Sequence, residues 1–247
     1  MENPSYIALS QQMALRRQMD VIANNLANVS TPSYRADRIM FAELVAGRAP
    51  YPASGATRGH LSFVRETGML RDVSDGALIQ TGNSLDLAIN GSGYFVVETP
   101  GGPRYTRQGN FRLDNDGRIV TSDGFPLLDN NDRPIVVRPG ESRIEISPQG
   151  TVTTESGEIG RIRLVSFENE QALRKLGSGL YETEQQPLAA NPATEIRQGM
   201  IEGSNVKAVV EVTNMMEILR RYQSAQKMIE SEHELQRRAI DKLSRVS

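Results

Sequence analysis

The sequence contains no cysteine, which removes disulfides, thiol catalysis and Cys-based zinc sites together. That absence suits a cytosolic protein and equally an exported one that must not oxidise on arrival. Histidine is almost missing as well. Only His60 and His233 occur, too few for a His-rich metal centre, so no metal and no cofactor is expected. Charge of one sign is lacking: 28 Lys and Arg stand against 30 Asp and Glu, a net charge of −2. Such a balance offers no general field for a phosphate backbone, and no nucleic-acid partner is expected. Long apolar runs are absent too. The strongest, Tyr94-Phe-Val-Val97, falls far below the ~20 residues of a membrane span, so no direct membrane insertion is expected. Arg16-Arg17 sits where the apolar core of a secretory signal would lie. Export, if it occurs, is therefore expected by a route that reads no cleaved signal peptide. What is present is 247 residues, 38% hydrophobic and 23% charged, a folded composition long enough for one large domain or two modest ones.

The pattern along the chain predicts an α+β fold. Long N- and C-terminal amphipathic helices, coiled-coil-like, flank a central mainly-β domain. The expected parts are an N-terminal assembly helix over 1–30, a connecting region over 31–80, a β-rich outer domain over 81–190, a return linker over 191–205 and a C-terminal assembly helix over 206–247. Asn3 can cap the first helix and Pro4 suits its first turn. Leu15, Met19, Ile22, Leu26 and Val29 then follow at alternating spacings of 4 and 3, a seam on one helical face. Ser30-Thr31-Pro32 ends the helix, because the residue before proline avoids the α region. Tyr51 to Gly59 reads as a linker.

In the middle, Leu85 to Ile89 and Tyr94 to Glu98 flank Asn90-Gly91. Further short apolar runs alternate with Gly101-Gly102, Asp116-Gly117 and Asp123-Gly124. Many short strands at close spacing predict a compact sandwich or barrel-like module. At the C-terminal end, Val212, Met215, Leu219, Tyr222, Ile229, Ile240 and Leu243 fall on one 3-4 seam, with Gln226, His233 and Gln236 as its polar positions. A helix over that stretch would extend ~60 Å at 1.5 Å per residue. Most of its apolar face is expected to find no partner in the β-module and to seek other copies or other chains.

Chemistry is hard to find. Asp114-Asn-Asp116-Gly117 approaches a calcium loop, but Arg112 occupies the first ligand position and Asp123 the twelfth, so a β-turn is expected. Gly91-Ser-Gly93 is too short for a dinucleotide fingerprint and reads as a hairpin turn. No Ser/His/Asp set assembles, and the enzyme reading has no residues to stand on. One feature is odd. Ala23-Asn-Asn-Leu-Ala-Asn28 places three Asn in six positions of a helix, although Asn is a mediocre helix former. These side chains either mark a fraying helix end or cross-link neighbouring backbones where no charge is wanted.

Ala23-Asn-Asn-Leu-Ala-Asn-Val-Ser-Thr-Pro-Ser-Tyr-Arg35 closely resembles the N-terminal signature of bacterial flagellar basal-body rod and hook proteins. Leu85 to Val97, Tyr105-Thr-Arg-Gln-Gly-Asn-Phe111 and Gly117 to Gly124 resemble the family's central segments. Glu202-Gly-Ser-Asn-Val206 and Met215 to Tyr222 resemble its C-terminal helix start. In one place the chain departs from the family: Ser33 stands before Tyr34 where the family usually carries Gly, the residue best suited to a positive-φ turn. The length and the opening from Tyr6 to Met19 are most like a proximal-rod member; distal-rod or hook-type members are the alternative within the family.

The resemblance implies a structural subunit of the periplasmic drive shaft, exported by the flagellar type III apparatus. Its partners would be other rod proteins, proximal and distal, copies of itself, and the export machinery. The assembly signature would comprise Ala23, Asn24, Asn25, Leu26, Ala27 and Asn28, with Leu15, Met19 and Ile22 as the N-terminal seam. Phe41-Ala-Glu-Leu-Val45 resembles a short export element of the family, with Phe41 and Val45 at its ends, although the same spacing arises on any amphipathic helix. Outside the family, a secreted fibre or adhesin would share the heptads but not the Asn signature. A carbohydrate-processing enzyme would need paired acids in a groove.

Overall fold

Pro4 costs a helix nothing in its first turn, and the sequence then runs without Gly or Pro to the Thr31-Pro32 stop. The computed structural model, which describes residues 3–46, 61–141 and 143–244, accordingly opens with helix α1 (Asn3–Ala27). It closes with α2 (Ala208–Ser244), another stretch free of Gly and Pro. Between them come β1 (Asp37–Ala46), β2 (Leu61–Arg71), β3 (Leu78–Gln80), β4 (Leu87–Asn90), β5 (Tyr94–Thr99), β6 (Gly102–Thr106) and a series of shorter strands. The chain divides into two units. The first is built from residues 1–27, 37–71 and 207–247, the second from 28–36 and 72–206.

In the first unit, β1 and β2 form an antiparallel hairpin, with Asp37 opposite Arg71 and a bulge between Met40 and Phe41. An isolated two-stranded ribbon is marginal in water. Here α1 packs against both strands and also against α2. Leu15, Ile22 and Ile218 are buried together, with Met19, Met215 and Tyr222 packed around them. Burial of each such aliphatic side chain contributes about 1.5–3 kcal/mol, so this small cluster matters to the whole unit.

Long coiled-coil-like helices at both ends are therefore not what forms. Among the described residues there are two α-helices, and α1 is only 25 residues long. The stripe on α1 meets α2 and the hairpin within the same chain, which overturns the expectation of seams lacking an intramolecular partner. Periodicity reports that a helix has an apolar stripe, not what covers it. The stretch 31–80 also holds more than a connection, since β1, β2 and β3 all lie in it. The stretch 191–205 is likewise more than a return linker, for it carries strands Glu195–Gln198 and Met200–Glu202. The linker reading of Tyr51 to Gly59 and the residue His60 lie outside the described residues.

The second unit is the β-module. Its largest sheet is six-stranded, ordered Arg174–Gly177, Leu180–Glu182, β6, β5, Leu164–Ser166, Leu188–Ala189. Phe95 and Val97 of β5 join a core with Leu87, Ile89, Phe111 and Ile119. Tyr94 and Val96 join a second core with Tyr105, Val165, Phe167 and Tyr181. Both faces of β5 are thus covered, which is why Tyr94-Phe-Val-Val97 reads as an unbroken apolar run instead of an alternation. Late strands close on early ones: Glu195–Gln198 pairs with β4, and Met200–Glu202 pairs with β3. Gly109, in the Tyr105 to Phe111 motif, is required by close approach. A Cβ there would lie 1.5 Å from the Leu87 carbonyl oxygen.

Candidate assembly site and chain crossing

In the first unit the Asn cluster sorts residue by residue. Asn25 is 1% exposed, whereas Ala23, Asn24 and Ala27 are exposed and Leu26 and Asn28 half-buried. The Asn25 side chain donates to the Asp37 carbonyl at 2.9 Å and accepts from the Asp37 N–H at 3.0 Å. A neutral amide with one donor and one acceptor mimics a strand partner, and it pins the first residue of β1 to the helix. Asn28 accepts from Thr31 Oγ1 at 3.1 Å in the turn that follows. Asn25→Ala should therefore cost the full-length chain about 1–3 kcal/mol, because Asp37 keeps two polar groups with nothing in their place. Thermal unfolding followed by circular dichroism measures this; an unchanged midpoint would show that the Asp37 groups find other partners.

The seams also sort. On α1, Leu15 and Ile22 are buried and Met19 half-buried. On α2 the inward residues are Glu211, Ile218 and Ala225, with Met215, Tyr222 and Ile229 half-buried beside them. Val212 and Leu219 instead face outward, 40% and 45% exposed. The side chains of Ile240 and Leu243 lie outside the described residues. Of the seam read from the sequence, Met215, Tyr222 and Ile229 lie beside the inward residues while Val212 and Leu219 do not, because Glu211 and Ala225 do not look like seam positions. The spacing of seven from Glu211 through Ile218 to Ala225 was the available signal. Phe41 lies on a strand, not a helix, and is half-buried. Val45 shares that strand, four residues on, but its side chain is outside the described residues.

In the second unit, three stretches from distant parts of the sequence meet at a buried charge network. Arg107 and Glu202 are both 1% exposed, and Arg107 Nε donates to Glu202 Oε2 at 2.8 Å. Arg107 also donates to Asp75 Oδ1 at 2.9 Å and to the carbonyls of Gly91 and Gly93, each at 3.1 Å. Those carbonyls lie in the bend between β4 and β5, which is not the hairpin turn expected from the sequence, because β4 pairs with Glu195–Gln198 and β5 with β6 and Leu164–Ser166. The other carboxylate oxygen of Glu202 accepts from the Gly76 N–H at 3.0 Å. Burial alone would lower the Arg107 pKa, but the charge and hydrogen bond of Glu202, with Asp75 adding to them, hold it above its ordinary value. Arg35, 2% exposed, donates to the same Asp75 oxygen at 3.1 Å and to Glu170 Oε2 at 2.9 Å. Glu170 also accepts from the Tyr94 hydroxyl at 2.8 Å. Burial pushes the Tyr94 phenol above its ordinary pKa, with Arg35 opposing and Glu170 reinforcing.

Backbone and amide contacts complete the clasp. Ser33 N–H donates to the Glu202 carbonyl at 2.9 Å, and Asn205 N–H to the Tyr34 carbonyl at 3.1 Å. The Asn205 side chain accepts from the Ala36 N–H at 2.8 Å and donates to the carbonyls of Asp72 and Ser74, each at 2.9 Å. Lys175 donates to the Arg35 carbonyl at 3.0 Å, with its ammonium 4.5 Å from the Tyr34 ring centroid. The Ser33-Tyr-Arg35 end of the N-terminal signature is thus held by Glu202-Gly-Ser-Asn205. The sequence motifs contained Arg35, Arg107 and Glu202, but nothing in their spacing joined them.

Ser33 adopts the positive φ that its side chain disfavours, +54°. Its hydroxyl, buried, donates to the Arg107 carbonyl at 2.7 Å, which offsets a strain of about 1–2 kcal/mol for a non-glycine residue. Ser33→Gly should relieve the strain and lose the bond, leaving stability within about 1 kcal/mol of native. Ser33→Ala should keep the strain, orphan the carbonyl and cost about 1–3 kcal/mol. Equal melting temperatures for the two variants would sink this account.

The other candidates resolve as structure. Asp114 accepts from the backbone N–H groups of Asp116 and Arg118 and from Arg118 Nε, the pattern of a turn. His233 is exposed. Among the described residues no group of three or more His, Asp or Glu is placed to hold a metal, and no helix is long and apolar enough to cross a membrane.

Three family models match this chain. The flagella basal body rod protein model covers residues 6–35, the flagellar hook protein FlgE/F/G D1 domain model covers 88–154, and the flagellar basal body rod FlgEFG protein C-terminal model covers 197–242. The flagellar basal-body rod protein FlgF of Caulobacter vibrioides is 36% identical over 256 residues, covering 100% of both chains. FlgG of Bacillus subtilis is 34% identical, covering 93% of this chain and 95% of its own. FlgF of Mesorhizobium japonicum is 31% identical, covering 91% and 90%.

Proposed function

We propose, from the premise that this chain belongs to the flagellar basal-body rod protein family and is most like FlgF, that it serves as a proximal-rod subunit of the periplasmic drive shaft. It is a structural protein of the flagellar basal body, not an enzyme. It assembles with other rod components and with itself. Export by the flagellar type III apparatus without a cleaved signal, with Phe41 and Val45 as its short docking element, belongs to the same proposal. So does a proximal position rather than a distal-rod or hook-type one.

One observation carries the assembly reading. The α2 helix has a second apolar stripe, Val209, Val212, Met216 and Leu219, at spacings of 3, 4 and 3; Val209 is 82% exposed and the other three are 40–50% exposed. The inward stripe is already used by α1. An outward stripe of aliphatic residues on a helix that needs no further partner to pack marks an interaction surface. A subunit of a continuous shaft requires such surfaces, since each copy must bury part of itself against its neighbours.

The test is a chromosomal deletion complemented by the full-length chain carrying a small epitope tag. Loss of motility on deletion, return on complementation and co-purification of the tagged chain with isolated basal bodies are expected. A motile deletion strain, or a tagged chain that restores motility but is absent from basal bodies, would overturn the reading.

A further inference from the structure

Asn90-Gly91 is the one Asn-Gly pair in the sequence, and it lies at the end of β4, where the strand gives way to the bend before β5. Asn90 is exposed. Its backbone pairs with Glu195, but among the described residues its side-chain amide has no hydrogen-bond partner, and neither has the Gly91 N–H. An unengaged carboxamide just ahead of an unengaged backbone nitrogen is an electrophile beside a nucleophile. Glycine leaves that nitrogen uncrowded, because it carries no Cβ and tolerates the backbone rotation that brings the two together. Gly91 already sits at φ +108°. The Asp-Gly turns differ at both ends. Their ionised carboxylates are poorer electrophiles than an amide. Their glycine N–H groups are also held: Gly76 by Glu202 Oε1 at 3.0 Å, Gly117 by the Asp114 carbonyl at 3.1 Å and Gly124 by the Thr121 carbonyl at 2.9 Å.

We propose that Asn90 is a site of spontaneous modification, converted to aspartate and isoaspartate by attack of the Gly91 nitrogen, and that the isoaspartate form loosens the Arg107 clasp. Hydroxide removes the Gly91 amide proton and the nitrogen bonds to Asn90 Cγ. The Cγ–Nδ2 bond breaks, and Nδ2 takes up a proton and leaves as ammonia. Water then opens the cyclic imide. Addition at Cγ restores the main chain and gives aspartate; addition at the main-chain carbonyl carbon gives isoaspartate, with the chain running through Cβ and Cγ. Nothing is oxidised or reduced, and water is the only co-reactant. Isoaspartate lengthens the main chain by one methylene immediately ahead of Gly91, whose carbonyl accepts from Arg107 Nη1 at 3.1 Å. A shift there draws an acceptor away from a guanidinium that is 1% exposed, where burial leaves no solvent to replace it. Either product also adds a negative charge at the register position opposite Glu195, and like charges across a strand pair repel.

The purified full-length chain, incubated at neutral pH and physiological temperature, provides the test. It is digested at acidic pH, where the imide does not form, and mapped by mass spectrometry. Isoaspartate is read by methyl transfer from S-adenosylmethionine under an isoaspartate-specific methyltransferase. Conversion at Asn90 should run about tenfold or more ahead of every other Asn in the folded chain. Asn90→Gln should abolish the methyl signal from this segment, because glutamine must close a larger ring, and should keep the native melting temperature. The isoaspartate fraction, separated by ion exchange on its added negative charge, should melt a few degrees below the native chain and lose amide protection around Arg107. Asn90→Asp, which adds the charge without the methylene, should melt between the two. An intact Asn90 after an incubation that converts a synthetic peptide of residues 85–95 would overturn the site. An isoaspartate fraction with native melting and native exchange would overturn its link to the clasp. The rod-subunit reading is independent of both results, since it is tested by the deletion strain and the tagged chain in basal bodies.

Discussion

Glu202→Ala is expected to lower stability by about 3–5 kcal/mol, which for a module of this size moves its melting temperature down by roughly 10–20 °C. The mechanism is specific. Without Glu202 the Arg107 guanidinium, 1% exposed, keeps only Asp75 and two carbonyls, and the Gly76 N–H loses its acceptor. Asp75 itself is 53% exposed, so solvent screens much of what it could offer. Removing one partner of a buried pair costs more than removing both, because the survivor is left as an uncompensated charge. Arg107→Ala should therefore be severe alone, and the double variant should be less destabilised than the sum of the two. A coupling of about 1–3 kcal/mol in the double-mutant cycle is expected. Additive single effects would mean that the pair does not act as a unit.

The consequence reaches the termini of the module. Glu202 also holds Ser33 through its carbonyl, and Asn205, three residues on, holds Ala36, Asp72 and Ser74. The variant should therefore loosen residues 28–36 and 72–76 first. Amide hydrogen exchange on the full-length chain reads this directly, as protection lost in those two stretches before it is lost in β5.

Adjacent residues on α2 should give opposite phenotypes. Ile218→Asp buries a charge among Leu15, Ile22, Met19 and Met215, at several kcal/mol. Its helical signal should melt well below that of the native chain, and rods should be missing for want of a folded subunit. Leu219→Asp falls at a position 45% exposed, where the isolated chain should change by no more than about 0.5 kcal/mol. Rods should nevertheless fail, because a charge introduced on the outward stripe is paid for at every copy in the shaft. Protein secreted into the medium serves as the export control and should stay at its native level in both. A motile Leu219→Asp strain would remove the outward stripe from assembly. A fully helical, stable Ile218→Asp chain would show that the two helices do not pack as described.

The difference between those neighbours marks the limit of sequence reading. Periodicity located both helices and a stripe on each, because apolar residues at spacings of 3 and 4 fall on one face whatever covers it. It could not choose between two stripes lying side by side on α2. Val212 and Leu219 look more apolar than Glu211 and Ala225, yet the latter pair faces inward with Ile218. The choice was made by what stands opposite: the small Ala225 suits a close approach, and Glu211 lines a groove between α1, β1 and α2. The hairpin of β1 and β2 was similarly invisible, since two strands rich in apolar residues beside a linker-like stretch are not told apart from a connection until a helix packs on them.

The sequence by itself determined the α–β–α order, the turns at Asn90-Gly91, Asp116-Gly117 and Asp123-Gly124, the central place of Tyr94 to Val97, and the family. All of these depend on residues near one another in the chain, where backbone preference and side-chain period act directly. Only the tertiary structure decided that Arg35 and Arg107 lie inside the β-module. A charged side chain is assigned to the surface by default, and burial becomes affordable only when acceptors arrive from elsewhere. Glu202 arrives from 95 residues away, Glu170 from 135 and Asp75 from 32. No local pattern encodes such a meeting; the sheet pairings that bring the late strands onto β3 and β4 do.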